Sequence, residues 1–109
     1  MKEWNDRPAG VLVEICGVRF ADTDAACRLF YYATHSDLKQ DIKRGLPCVK
    51  VRSRYFFPID LCRKWYLGKD VKSSLDALKK LIYRASDDLP KEQWFRKVDE
   101  YDGTKPWNA

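Results

Sequence analysis

No apolar run in this 109-residue sequence approaches the ~18 residues that a membrane-spanning helix requires. Residues 1–8 lack the apolar stretch and small-residue cleavage site of a secretory signal, so a cytoplasmic protein with no membrane partner is expected. Histidine is almost missing: His35 is alone. The four cysteines, Cys16, Cys27, Cys48 and Cys62, contain no C-x-x-C pair, so neither a zinc hook nor a redox pair can be drawn from them. Two disulfides would suit a secreted chain; four reduced thiols in or near the core suit this one better. No Gly/Ser linker, internal repeat or low-complexity tract divides the chain, and one domain over 1–109 is expected. No nucleophile stands beside a base with an orienting group, so no catalytic residues, metal or cofactor are assigned, and the protein is not expected to be an enzyme.

Hydrophobic residues make up 45% of the chain and aromatic ones 14%, too apolar for a disordered polymer. The net charge of +5 is unevenly placed. Residues 35–72 hold ten Lys/Arg against four acids, whereas the remainder holds 11 basic and 12 acidic groups. The whole positive excess therefore lies in about one third of the chain. Such concentration suits a polyanion-binding surface, although a solvated basic face satisfies it equally.

Residues 1–21 read as a lead-in with a short strand or hairpin, in which Gly17 turns the β-prone run 11–16 toward Val18-Arg19-Phe20. From Asp22 the period lengthens. Ala26, Leu29, Phe30 and Ala33 form a helical stripe, with Asp22, Thr23 or Asp24 to cap it. The aromatic end, Phe30-Tyr31-Tyr32, is assigned mostly to the core. A second helix follows the capping cluster Thr34-His35-Ser36. Leu38 and Ile42 face one way, while Lys39, Gln40, Lys43 and Arg44 cover the other sides. Gly45 can end it in a left-handed conformation.

After Leu46-Pro47 the period drops to two. Segments 48–51 and 55–59 predict a hairpin whose tip, Arg52-Ser53-Arg54, carries two arginines, flanked by Lys50 and Tyr55. Asp60 is expected to cap a short helix over 61–67, stopped by Gly68. Residues 69–102 predict a helical extension: a stripe of Val71, Leu75, Leu78, Leu81 and Ile82, then a helix opened by Pro90 with Trp94, Phe95, Val98 and Tyr101 on one side. That second stripe packs on its own domain or docks a protein partner. The tail 103–109 is expected to fray.

A helix with apolar residues on one side and Lys, Arg and Gln on the other suits the DNA major groove, about 12 Å wide. An arginine-tipped hairpin beside it can reach the adjacent backbone or minor groove. The run Ser36-Asp37-Leu38-Lys39-Gln40-Asp41-Ile42-Lys43-Arg44-Gly45-Leu46-Pro47-Cys48-Val49-Lys50-Val51-Arg52-Ser53-Arg54-Tyr55-Phe56-Phe57-Pro58-Ile59-Asp60-Leu61-Cys62-Arg63-Lys64-Trp65 resembles the excisionase/MerR-like winged-helix family. Its members show a helix ending in Ile-Lys-basic-Gly, then Leu-Pro, a Val-Lys-x-Gly-x-Arg-Tyr hairpin, and a helix containing Trp. They include phage and transposon excisionases, MerR-type regulator heads and small terminase subunits.

The likeness covers about residues 23–67. It implies an α+β, mainly α fold: a winged helix-turn-helix over 22–68 with a short β-hairpin wing and additional C-terminal helices. It implies a DNA-contacting role for Thr34, His35, Ser36, Lys39, Gln40, Lys43 and Arg44 on the helix, and for Lys50, Arg52, Ser53, Arg54 and Tyr55 on the wing. Two features depart from the family. The turn Phe30-Tyr31-Tyr32-Ala33-Thr34 has no glycine and about two extra residues, and the wing glycine is missing from Arg52-Ser53-Arg54.

The expected function is duplex-DNA binding in a phage or mobile element within a bacterial host cell, excisionase-like or regulatory. Several copies would act on DNA with a recombinase or other protein partner. The alternatives are a small terminase subunit and a winged-fold module that binds or inhibits a host protein. For the aromatic set Tyr31, Tyr32, Phe56, Phe57, Trp65 and Tyr66, core packing is weighed against stacking on single-stranded bases.

Overall fold

The computed structural model describes residues 10–101, and the side chains of residues 10–98. The described residues open with two short strands, β1 (Gly10–Ile15) and β2 (Val18–Asp22), as the 11–20 segment predicts. Cys16 and Gly17 both take positive φ, 51° and 79°. Two such residues between antiparallel strands form the two-residue turn whose twist matches a hairpin. Helices α1 (Thr23–Leu29) and α2 (His35–Lys43) follow, then strands β3 (Val49–Val51) and β4 (Arg54–Pro58), then α3 (Ile59–Tyr66) and α4 (Lys72–Asp88). A single turn, α5 (Lys91–Trp94), and strand β5 (Phe95–Tyr101) complete the described residues.

The strands form one five-stranded sheet in the order β3-β4-β2-β1-β5, and every neighbouring pair is antiparallel. Alternation along the strands sends side chains to two faces. Leu12, Ala21 and Phe57 pack with Ala25, Ala26 and Cys27 of α1, Leu38 of α2, and Ile59 and Cys62 of α3. Val13, Ile15, Phe20, Val49, Val51 and Phe56 pack with Leu78, Ile82 and Ala85 of α4 and with Trp94. The sheet is thus the middle layer of a compact α+β domain, with α1–α3 on one face and α4 on the other. Among the described residues no helix is long and apolar enough to cross a membrane.

This sheet is larger than the wing hairpin and separate short N-terminal strand or hairpin expected, because β2 pairs with β4 and β5 is added beside β1. The expected helix from Pro90 is the main correction: it lasts one turn, and Phe95–Tyr101 is a strand. Trp94, Phe95, Val98 and Tyr101 share a helical face, but β1 has an outer edge whose backbone groups need partners. β5 supplies them, with Arg96 opposite Glu14 and Phe95 opposite Ile15. Trp94 is buried, its indole N–H donating to the Leu89 carbonyl at 3.2 Å. Phe95 meets Phe56 edge-on at 5.5 Å, whereas Val98 is exposed and falls where the β1–β5 register shifts. Trp94, Phe95 and Val98 are therefore not one docking face. The Tyr101 side chain, the tail 103–109 and residues 1–9 of the lead-in lie outside what is described. Asp60 is a smaller correction: β4 runs straight into α3, Pro58 holds the cap position, and Asp60 sits in the first turn. There its charge still favours the positive helix end.

The junction between sheet and helices is made by Asp22, which is 6% exposed. Its Oδ1 accepts from the Ala25 N–H at 2.9 Å, capping α1, and from the Val11 N–H of β1 at 3.0 Å. Gly10 makes this approach possible, since a Cβ there would lie 2.2 Å from the Ala25 nitrogen. Removing the carboxylate orphans two backbone donors. Asp22→Ala should therefore cost about 2–3 kcal/mol in urea denaturation, and Asp22→Asn, which keeps one acceptor oxygen, less than about 1 kcal/mol.

Candidate nucleic-acid interface

Three helices end in the same hydrogen-bonded motif. In each, the residue after the cap takes positive φ and the next N–H reaches back five residues. At α2 these are Gly45 (φ 112°) and a Leu46 N–H to Asp41 carbonyl bond of 2.9 Å. At α3 they are Gly68 (φ 79°) and a Lys69 N–H to Lys64 carbonyl bond of 3.0 Å. At α1 the position is filled by Tyr31 (φ 63°), with the Tyr32 N–H bonded to the Cys27 carbonyl at 2.8 Å. This is how the α1–α2 turn closes without glycine.

The motif turns neighbouring tyrosines in opposite directions. Tyr31 is 88% exposed, which corrects its expected place in the core. Tyr32 points inward, and its hydroxyl bonds to Asp41 Oδ2 and to the Tyr66 hydroxyl. Tyr66 in turn packs on Phe30 at 5.3 Å and edge-on to Trp65 at 5.1 Å. Burial, and then the Asp41 hydrogen bond, push the Tyr32 phenol far up. Burial pushes Tyr66 up to about 12. Tyr32 and Tyr66 thus serve to lock the helix pair to α3. Phe56 and Phe57 are buried, and Trp65 is half-buried with its indole against Gly45.

On α2, Thr34 is the N-cap, its hydroxyl accepting from the Asp37 N–H at 3.1 Å. Leu38 is fully buried, which leaves Ser36, Lys39, Gln40, Lys43 and Arg44 exposed. In the β3–β4 hairpin, Val51 pairs with Arg54, and the two residues between, Arg52 and Ser53, take φ of 48° and 69°. This is the tight two-residue turn normally built on Asn-Gly, so the missing glycine does not lengthen the tip. Lys50 lies opposite Tyr55 with its ammonium 5.7 Å from the ring centre.

The helix pair and the hairpin meet in a cleft of about 310 Å³ lined by Asp22, Thr23, Asp24, His35, Lys39, Ser53, Arg54 and Tyr55. Five expected contact residues, His35, Lys39, Ser53, Arg54 and Tyr55, therefore share one wall system. Lys50 and Arg52 line a different recess of about 280 Å³, between the hairpin and α4. Lys43 and Arg44 lie at the far end of α2.

Asp22 and Asp24 were expected only as caps, yet they face this cleft. His35 Nε2 is 2.8 Å from Asp24, and Arg54 is 3.8 Å from Asp22. Arg44 is held by Asp41 at 2.9 Å. The cations of α2 and the hairpin thus form no single ridge: Lys39 shares a mixed cleft with Asp22 and Asp24, Lys50 and Arg52 line the recess beside α4, and Lys43 is exposed at the far end of α2. The Asp24–His35 pair had a sequence signal, a lone histidine at the start of one helix and an acid at the start of the other. Only the helix-pair angle brings them together.

The four cysteines carry free thiols, and burial pushes those of Cys16, Cys48 and Cys62 up, away from the reactive thiolate. Among the described residues no three His, Cys, Asp or Glu side chains group as metal ligands. No known protein family, curated protein or solved structure matches the chain.

The tyrosine pair sets an alkaline limit. Phenols whose folded pKa is raised stabilise the fold below the unfolded value near 10, and that stability drains as pH rises beyond it. Tyr32→Phe should be less stable than wild type at pH 8, and the gap should shrink steadily above about pH 10 in thermal melts.

Proposed function

We propose that this domain binds duplex DNA without catalysing a reaction, using α2 as the groove-reading helix and the β3–β4 hairpin as its wing. The observation that carries the reading is the shared cleft, where α2 side chains and hairpin-tip side chains meet although 14 or more residues separate them in sequence. Packing of Leu38 and Ile42 on the core leaves Ser36, Lys39, Gln40 and Lys43 to meet the groove. Gln40 is the type that pairs with adenine, and Lys39 and Lys43 suit guanine or phosphate. The hairpin reaches the neighbouring backbone with Arg52 and Ser53. Arg54, shared with Asp22 and Phe56, contributes mainly by fixing the hairpin.

The likeness to excisionases and MerR-type heads makes a phage or mobile-element DNA-binding factor the favoured role, with copies gripping a short duplex site alongside a recombinase. The acids Asp22 and Asp24 in the cleft favour a second reading, a protein-binding module whose partner presents its own cations and acids.

Fluorescence-anisotropy titration of duplex DNA, single-stranded DNA and RNA at two salt concentrations tests the proposal. Duplex affinity should be highest and fall steeply with salt. Lys39→Ala with Arg52→Ala should weaken binding to all sequences and flatten the log K–log salt slope by about 1.8, roughly 0.9 per lost phosphate contact. Gln40→Ala should shift sequence preference instead. Absence of duplex binding at ~100 mM salt, or a double variant with unaltered affinity and slope, rejects the reading.

A further inference from the structure

We infer that Tyr31 is a backbone contact of the bound duplex, its hydroxyl donating to a phosphate oxygen; this rests on the DNA-binding reading. Three helix ends share one stop motif, and two of them use glycine at the positive-φ position. The third uses a tyrosine, for which the left-handed backbone is strained by contact between its Cβ and the following carbonyl. Among the described residues no burial of the side chain offsets this choice, since Tyr31 is 88% exposed. Its neighbour Tyr32 does the packing, through Asp41 and Tyr66. A strained residue kept where glycine would be more stable points to a task outside the fold.

The position suits that task. Tyr31 stands three residues before Thr34, the N-cap of α2, and so next to the helix end that enters the groove in helix-turn-helix docking. Tyrosine is among the side chains that donate to phosphate oxygens. The stop motif fixes the backbone of the turn through the Tyr32 N–H to Cys27 carbonyl bond, so only the side-chain torsions of the phenol are left to order on binding. Because the contact is neutral, it displaces no counterion.

The test is duplex titration at several salt concentrations, with thermal melts, on wild type, Tyr31→Phe and Tyr31→Gly. Tyr31→Gly should melt higher, by about 4–8 °C, yet bind duplex about tenfold more weakly. Tyr31→Phe should lose about three- to tenfold in affinity. Both should keep the wild-type salt slope, which a lost lysine or arginine contact would not. A Tyr31→Gly protein that is more stable and binds as tightly as wild type reduces Tyr31 to a helix stop and overturns the inference. So does a less stable Tyr31→Gly, a Tyr31→Phe of undiminished affinity, or a loss of affinity accompanied by a flatter slope. Wild-type protein that binds no duplex overturns the DNA-binding reading itself, a result visible before any variant is made.

Discussion

The carboxylate of Asp22 holds the sheet and the helices in one frame. It ends β2, caps α1, takes the Val11 N–H from the neighbouring strand and stands 3.8 Å from Arg54 at the base of the hairpin tip. A buried carboxylate is costly unless its oxygens are occupied, and here each has a use. Gly10 is the other half of the device, since only a residue without Cβ lets β1 pass so close to the start of α1. Where the hairpin lies relative to α1 and α2 follows from this junction, and so does the cleft that Asp22 itself lines. Arg54 is accordingly a poor free cation. One side of its guanidinium faces Asp22 and another lies over Phe56 at 5.7 Å.

Local signals carried most of the first two thirds of the fold. Gly17, Thr34, Gly45 and Gly68 mark turns and helix ends, and the change of hydrophobic period at Asp22 and again at Cys48 separates helix from strand. These are interactions within a few residues, which is why a sequence displays them. β5 was not legible, because its identity depends on β1, more than eighty residues earlier. Residues Phe95, Val98 and Tyr101 satisfy a helical stripe as well as they satisfy a bulged strand, and only the open edge of β1 decides. The five-stranded sheet was hidden for the same reason. Hairpin pairs are local, but β2–β4 and β1–β5 are not.

The candidate site was half legible. The exposed face of α2 follows from Leu38 and Ile42, and the hairpin tip from its two flanking strands, so the cations of both segments fall where their period puts them. What the sequence could not display was which cations share a surface and which acids answer them. Arg52 and Arg54 are two residues apart, yet one lines the recess beside α4 and the other the cleft, because Arg52 sits in the left-handed turn and Arg54 opens the returning strand. Asp24 and His35 meet only because α1 and α2 cross. The charge excess of residues 35–72 is real, but its distribution is a tertiary property.

Strain is concentrated on this same part of the molecule. Apart from Cys16 in the β1–β2 turn, the non-glycine residues with positive φ are Tyr31, Arg52 and Ser53 among the described residues. Two of them form the hairpin tip and one leads into α2. Gly45 and Gly68, which end α2 and α3, carry no such cost. If backbone economy alone governed these turns, Asn-Gly would serve at 52–53 and glycine at 31, each choice gaining roughly 1 kcal/mol per residue. Instead the positions carry a guanidinium, a hydroxyl and a phenol, all projecting to solvent. Donors of that kind gain nothing from water that they lacked in the unfolded chain. Their placement on costly turns is what the proposed duplex contact would account for, since phosphate oxygens are acceptors that meet such donors from outside.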